Sequence, residues 1–446
     1  MLVKESMETV LKIVRDHYSE MIDVPREKRD QIYDWIKLVE KGNEDAKKKL
    51  ITDVETYLNG RGIFLDQSIY PGTTPYESVV YATYGLGVYD AVIHLSPFVE
   101  SVLIAVGQPV RYYENGRKKP YFGYVPTDNE VEALQRKLQE ITGASFHRSQ
   151  PFLSGFIEET ETRIQMYMQP FSYERDIITR RFVTKSFSLD DIKMDERARE
   201  FCKQVVKGRL NVAIGGGQGT GKTQRQISML MMKDPEKDTI TTFESEHELR
   251  LAKKWPGNVF ALQSIEDLGY LFDNTYRHIF RNNSETIVFA EVRSEIEAHY
   301  ALYSCLRGAD ATYFSIHLRI PEPGAAVRTF ANMVNAYRQD HMVNVYRDIA
   351  AGVDLFWLLA NDNGDRVDEA IFIPTFNEGY VTEKGDYVPG REGFKMLAQY
   401  DRAKKELVWT GEMLPPEKVE RMIYPPGEAD LDVLRELHLT DYRRMI

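Results

Sequence analysis

Residues 216–223 read Gly-Gly-Gln-Gly-Thr-Gly-Lys-Thr and follow directly on the apolar run Leu210, Asn211, Val212, Ala213 and Ile214. This G-x-x-x-x-G-K-[ST] pattern, after a β-rich run and before a helix expected over 224–232, constrains the fold more than any other stretch. The glycines let backbone N–H groups curl around an anion without Cβ clashes. In such a loop Lys222 reaches the β/γ-phosphates and the Thr223 hydroxyl binds Mg²⁺. The helix that follows turns its positive end toward the same anion. Gly216, Gly217, Gln218, Gly219, Thr220, Gly221, Lys222 and Thr223 are therefore expected to hold a nucleoside triphosphate, ATP with Mg²⁺.

Alternation of strands and helices surrounds this loop. Helix is expected over 194–208 and strand over 210–215, 239–244, 258–263, 285–292, 311–317, 353–360 and 367–373, with helices in most of the gaps. That order implies a largely parallel sheet covered on both faces, with the nucleotide at the carboxyl ends of its strands. Upstream, Met7, Val10, Leu11, Ile13 and Val14 form one helical stripe and Ile32, Trp35, Ile36 and Val39 another, broken by Lys41-Gly42-Asn43. Pro71-Gly72 and Pro75 mark a boundary. Between 76 and 190 short strands mix with helices: strands over 101–106, 162–168 and 177–183, a hairpin at Asn115-Gly116, and a helix over 129–142. After 376 come Gly379, Gly385, Gly390 and Gly393, then Pro415-Pro416 and Pro425-Pro426. The expected organisation is a helical extension (1–75), a smaller α/β domain (76–190), a phosphate-loop α/β domain (191–375) and a C-terminal hairpin-and-helix extension (376–446).

Composition excludes several classes. The formal net charge of −11 leaves no global basic field for nucleic acid. Two cysteines, Cys202 and Cys305, fit a reducing compartment and cannot build a four-cysteine zinc site. Glu5 and Glu8 stand where a signal peptide needs an apolar core. No apolar run is long enough to span a bilayer.

Hydrolysis needs a carboxylate for Mg²⁺ or water and positive groups for the transition state. The run Glu285-Thr-Ile-Val-Phe-Ala-Glu291-Val-Arg293 ends an apolar strand in Glu291, which projects to the nucleotide edge of the sheet. Thr242-Phe-Glu244-Ser245-Glu246-His247-Glu248 packs three carboxylates into one strand end, where they repel unless they share a cation or water. Ser315-Ile316-His317 places a histidine at another strand's carboxyl end, in reach of a γ-phosphate.

Taken together, these motifs resemble the secretion ATPase superfamily, the motors of type II and type IV secretion and type IV pili. The likeness is greatest to the tight-adherence pilus ATPases, with the conjugative ATPases close by. In order, Tyr84-Gly-Leu-Gly-Val-Tyr-Asp resembles the opening of the family's N-terminal domain, Glu161-Thr-Arg163-Ile its D-G-S-R stretch, and Ile178-Thr-Arg180-Arg181-Phe182 its T-I-R-[RK]-F stretch. Phe243–Leu249 sits at the Asp box, Arg281 at L-R-x-x-P-D, Ala290-Glu291-Val292-Arg293 at Walker B, Ser315-Ile316-His317 at the His box, and 345–355 at R-Q-I-A-x-A-I-D-L. The resemblance implies a RecA-like ATPase domain behind an α/β N-terminal domain, assembled as a homohexamer. Such a ring sits in the cytoplasm, peripheral at the inner face of the membrane, and works on a membrane platform protein.

By the same resemblance Glu291 is the Walker B carboxylate that holds Mg²⁺ with Thr223. Glu244 and Glu248 are Asp-box acids, Arg293 belongs to Walker B, His317 senses the γ-phosphate, and Arg163 and Arg180 close on the phosphates. The chain departs from the pattern at five places: Ser245 replaces the Asp of the Asp box, Ala290 the Walker B Gly, Gln224 the usual Thr after the loop, Leu318 the Ala after the histidine, and Ala309-Asp310-Ala311 a more glycine-rich turn. Two other readings fit the same loop, a nucleotide-gated assembly protein with little turnover and a DNA-translocating ATPase.

Overall fold

The computed structural model describes residues 6–21, 24–114, 116–181, 188–245, 248–264, 271–307, 309–381, 387–388 and 390–443. Glu5, Asn115, Phe182, Val183, Glu246, His247 and Gly385, named above, lie outside the described residues. The chain divides into two compact units, Met1–Val183 and Thr184–Ile446.

The first unit begins with helices α1 (Met7–Glu20), α2 (Arg26–Glu40), α3 (Glu44–Gly60) and α4 (Pro75–Thr83). The break at Lys41-Gly42-Asn43 separates α2 from α3, where the Asn43 side chain caps the Ala46 amide. Val10, Val14, Ile32, Val39, Leu50, Val54 and Val80 form their common core, at the helical spacing of the sequence stripes. Next come α5 (Val88–Ile93), β1 (Val99–Ala105), β2 (Arg111–Glu114), β3 (Arg117–Pro120), α6 (Asp128–Thr142), β4 (Phe152–Ile157), β5 (Thr162–Tyr167) and β6 (Asp176–Arg181). The strands make a six-stranded antiparallel sheet ordered β3-β2-β1-β6-β5-β4. Helix α6 starts with a capping box, Thr127 with Glu130, and ends at Gly143 in the left-handed region.

Strand β4 shows only weak alternation: its burial runs exposed, buried, exposed, two half-buried and buried, and Gly155 interrupts it. The buried Lys47 of α3 meets Glu44 at 2.8 Å and the Asp90 carboxylate of α5 at 2.6 Å. This pair ties the helical region to the α/β part of the unit.

The second unit contains α7 (Glu196–Lys207), β7 (Val212–Gly216), α8 (Lys222–Leu230), β8 (Thr239–Glu244), β9 (Asn258–Gln263), α9 (Phe272–Ile279), β10 (Thr286–Val292), α10 (Glu295–Arg307), β11 (Ala311–His317), α11 (Pro323–Arg338), α12 (Met342–Gly352), β12 (Leu355–Asp362) and β13 (Asp365–Asn377). A short pair, β14 (Tyr380–Val381) and β15 (Tyr387–Val388), precedes β16 (Arg391–Asp401), β17 (Glu406–Trp409), α13 (Pro416–Ile423) and α14 (Leu431–Glu436). Its nine-stranded sheet runs β17-β16-β13-β12-β7-β11-β10-β8-β9. The six strands from β12 to β9 are parallel, and β13, β16 and β17 add antiparallel at one edge.

Both faces of this sheet are buried. Val212 and Ile214 of β7 join the core on one side with Trp357 and Tyr313. Ala213 joins the other with Phe314, Phe356 and Phe330. Period-2 alternation between two apolar layers is what a sheet covered on both faces demands.

Candidate active site

Four strands of the parallel sheet end at one place. Gly216 closes β7, Glu244 closes β8, Glu291 is the penultimate residue of β10, and His317 closes β11. In the β7–β11 register His317 stands opposite Gly216. In open α/β sheets, ligands bind outside these carboxyl ends.

The phosphate loop takes its shape from two left-handed glycines, Gly219 at φ 74° and Gly221 at φ 94°. Residues with a Cβ are strained there. Gly216 is held by space instead, because a Cβ would lie 2.5 Å from the Leu359 carbonyl oxygen. Helix α8 starts at Lys222, two residues before the sequence expectation, so its first amides face the loop. The Lys222 Nζ donates to the carbonyls of Gly216 (3.1 Å) and Gly217 (2.9 Å). Thr220 Oγ1 donates to Gly217 at 3.0 Å, which tightens the turn. Thr223, half-buried, sits beside Lys222 in the first turn of α8.

Lys222 Nζ lies 3.9 Å from Glu291 Oε1. The other Glu291 oxygen accepts from Arg293 Nε at 2.9 Å and Nη2 at 2.7 Å. Arg293 Nη2 also donates to Glu248 Oε1 at 2.5 Å. Glu244 Oε2 accepts from the Glu248 and Leu249 amides at 2.8 and 3.0 Å, so it fixes the backbone that presents Glu248. Lys222, Glu291, Arg293, Glu248 and Glu244 thus form one continuous charged chain.

Burial raises the Glu291 carboxyl's pKa, but Arg293, with Lys222 and His317, outweighs burial and holds it below the ordinary carboxylate value. Burial works against the charged Arg293, and the two carboxylates outweigh it, so the guanidinium is held more firmly protonated than usual. Glu297 braces this segment: its Oε2 accepts from the Arg293 and Ser294 amides at 2.6 and 2.9 Å and caps α10. Burial raises its carboxyl against the pull of those amides.

Ser245 contributes its carbonyl to Gln263 Nε2 at 3.1 Å, and its short hydroxyl adds no charge to the acidic group. Ala290 is buried and its carbonyl accepts from Ser315 Oγ at 2.6 Å, which joins β10 to β11 just below Glu291.

Arg163 and Arg180 lie in the other unit. They are directly opposed in the β5–β6 register, with Arg180 exposed and Arg163 half-buried. Their neighbour Arg181 is committed elsewhere, donating to the Val99 and Pro97 carbonyls at 3.1 Å each.

Three contacts in the second unit escape motif reading. Gln226 of α8 is fully buried and donates to the Phe289 carbonyl at 3.0 Å, which sets α8 against the strand that carries Glu291. Arg225 of α8 pairs with Asp368 of β13 at 2.8 Å and lies over the Trp357 ring at 5.0 Å from its centroid. Arg366 of β13 donates to the Gly219 carbonyl at 3.1 Å and to Gln224 Oε1 at 2.8 Å. Only Gln224, as a departure from the usual Thr, gave a sequence signal for any of them.

The hard oxygens of Thr223 and Glu291 suit Mg²⁺, and among the described residues no group of three or more metal-binding side chains could hold a cation unaided. This donor set fits a metal that arrives with phosphate oxygens. A phosphate loop, a lysine inside it and a strand-end carboxylate beside the lysine define an ATPase of the phosphate-loop class.

The family described as "Type II/IV secretion system protein" matches residues 153–320, the stretch that holds the loop, Glu244, Glu291 and His317. Over this stretch, less than half of the chain, the sequence is similar to that family. Among curated proteins no sequence match was found. Among solved structures, the ATPase DotB of Yersinia pseudotuberculosis is 13% identical with a TM-score of 0.50, covering 84% of this chain and 87% of that one. DotB of Legionella pneumophila is 14% identical, TM-score 0.47, covering 78% and 87%. The VirB11 ATPase of the Brucella suis type IV secretion system, in complex with sulphate, is 18% identical, TM-score 0.34, covering 62% and 89%. At such identities the likeness to the first of these speaks to the fold alone. Among the described residues no helix is long and apolar enough to cross a membrane.

Proposed function

We propose that this chain is the ATP-driven motor of a secretion, pilus-assembly or conjugative-transfer machine. It acts as a homohexamer, peripheral at the cytoplasmic face of the membrane, against a platform protein. The observation that carries the reading is the 3.9 Å approach of Lys222 to Glu291 at the carboxyl edge of a parallel sheet. Lys222 leaves the Gly216 and Gly217 carbonyls for the β/γ-phosphates when ATP enters. Thr223 and Glu291 would hold Mg²⁺, which would supply charge neutralisation for the transferred phosphoryl group. Glu291 orients the attacking water, Glu248 and Arg293 hold Glu291 in place, Glu244 fixes Glu248, and His317 reads the γ-phosphate.

Arg163 and Arg180 are opposed on adjacent strands, so one anion can meet both guanidinium groups. This supports their role as the arginines that close on the phosphates within the ring. Such arginines contribute about 10³–10⁵ in rate. A subunit-mixing assay tests this. Lys222→Ala and Arg180→Ala are each inactive alone, and their mixture recovers ATP turnover if the arginine acts on a neighbouring subunit's loop. Absence of recovery at every mixing ratio rejects the ring arrangement.

A second reading, a nucleotide-gated assembly protein with little turnover, draws on the double grip of Arg293 on Glu291 and Glu248 and on the lost acid at Ser245. The steady-state turnover number of the purified protein separates the two. The net charge of −11 weighs against a DNA translocase, which turnover stimulated by DNA at moderate salt would revive.

A further inference from the structure

We propose that Arg366, with Gln224, is a positioning residue for the phosphate loop: it pins the crest of the loop and carries a positive charge to the polyphosphate binding site. The proposal rests on the reading of this loop as an ATP site.

Arg366 stands near the start of β13, just after the turn at Asn363-Gly364. Its stem lies along Gly221, where an added Cβ would come within 3.3 Å of Arg366 Cδ. From there the guanidinium forks. Nε takes the Gly219 carbonyl and Nη1 takes Gln224 Oε1, a second point on the loop's own helix. In a trans peptide the carbonyl and the next N–H point to opposite sides. Holding the Gly219 oxygen toward Arg366 therefore turns the Thr220 N–H to the other side of that peptide and removes one freedom from the loop. A planar fork with donors at fixed angles suits this two-point grip better than the single rotating ammonium of a lysine.

Two further features mark the contact as more than a surface hydrogen bond. Both partners of Arg366 are neutral, and among the described residues no carboxylate pairs with it, so its full charge stands at the rim of a site built for anions. Two residues further along β13, Asp368 locks the adjacent α8 residue, Arg225, in a buried pair. Gln224 with Arg366 and Arg225 with Asp368 thus join α8 to β13 at consecutive positions, so the β12–β13 hairpin and the loop move as one piece. Gln224, at the position where the superfamily usually has threonine, has a side chain long enough to reach the arginine.

The test uses the full chain with a fluorescent ATP analogue for Kd and steady-state hydrolysis for kcat and KM. Arg366→Ala is expected to raise Kd and KM about tenfold while kcat changes less than about threefold, as befits a residue that sets the bound loop rather than the chemical step. Arg366→Lys restores part of that loss. Gln224→Ala costs less, and the double variant is no worse than Arg366→Ala alone, because the glutamine acts through the arginine. Thermal melts by circular dichroism accompany each variant. If Arg366→Ala unfolds, Arg366→Lys and Gln224→Ala carry the same cycle. Unchanged Kd in a folded Arg366→Ala, a loss confined to kcat, or fully multiplicative effects of the two substitutions overturn the proposal. Lys222→Ala is the control: if it binds the analogue as the parent does, the ATP-site reading itself fails, whereas loss there with no effect at Arg366 rejects only the positioning role.

Discussion

The Arg225–Asp368 pair offers a stability prediction whose size follows from its surroundings. Their side chains are 4% and 3% exposed, 2.8 Å apart, and Asp368 Oδ1 also accepts from Trp357 Nε1 at 2.7 Å. Asp368→Asn keeps the shape and an acceptor for Trp357 but strands the Arg225 charge in the core. Removing one partner of a buried ion pair costs about 3–5 kcal/mol. Because the amide oxygen still accepts hydrogen bonds, the lower end, about 3 kcal/mol, applies here. For a domain of this size each kcal/mol moves Tm by roughly 2–4 °C, so the transition of the second unit should fall by about 6–12 °C in differential scanning calorimetry. Adding Arg225→Met removes the stranded charge, and the double variant should recover most of the loss, since apolar replacement of a buried pair is often neutral. A shift below about 2 °C in Asp368→Asn, or a double variant no more stable than the single, would falsify the claim that this charge is buried and dependent on its partner.

Three further outcomes are expected. Lys47→Met strands the fully buried Asp90 carboxylate and should lower the melting transition of the first unit by a comparable amount, about 3–5 kcal/mol; a melt unchanged from the parent rejects this. Burial lowers the Lys233 amine to about 8, from 10.5. Between those values the unfolded chain binds the extra proton, so this group's contribution to stability rises with pH, and the stability difference between the parent and Lys233→Met should shift in that sense from pH 8 to 10. Chemical denaturation at four pH values measures it, and a flat difference contradicts it. The Glu291 carboxyl is held below its ordinary value of 4.5, so its stabilising ion pairs persist as pH falls to that value and are lost only below it. An acid limb of ATP turnover assigned to Glu291 should lie under pH 4.5, and a limb above it that Glu291→Gln removes would refute the assignment.

The sequence and the structure agree where information is local. The loop, the strand before it and the helix after it lie within a few residues of one another, and φ-positive glycines at 219 and 221 must be written into the chain. Glu291 and His317 were legible because each ends an apolar strand, and strand ends of a parallel sheet converge on one edge. What lay hidden is long-range. Arg366 meets Gly219 across 147 residues and Arg225 meets Asp368 across more than a hundred, and no periodicity encodes either contact. Gln226 sits at an apolar helix position whose partner is a backbone carbonyl 63 residues away. At the far edge, β16 and β17 follow a glycine-rich stretch and continue the same sheet through β13, since an antiparallel strand can add to an edge without a crossover helix. The opposed register of Arg163 and Arg180 likewise needs the hairpin pairing before the two arginines meet.

In the proposed function Glu291 is the carboxylate that serves ATP held by Lys222. The most direct measurement is the Mg²⁺-dependent ATP turnover of the purified chain beside Glu291→Gln, with nucleotide affinity measured on the same samples. Turnover in the parent, with nucleotide affinity retained and turnover lost by about 10²–10⁴ in Glu291→Gln, is the predicted result. No turnover in the parent, or equal turnover in both, contradicts it.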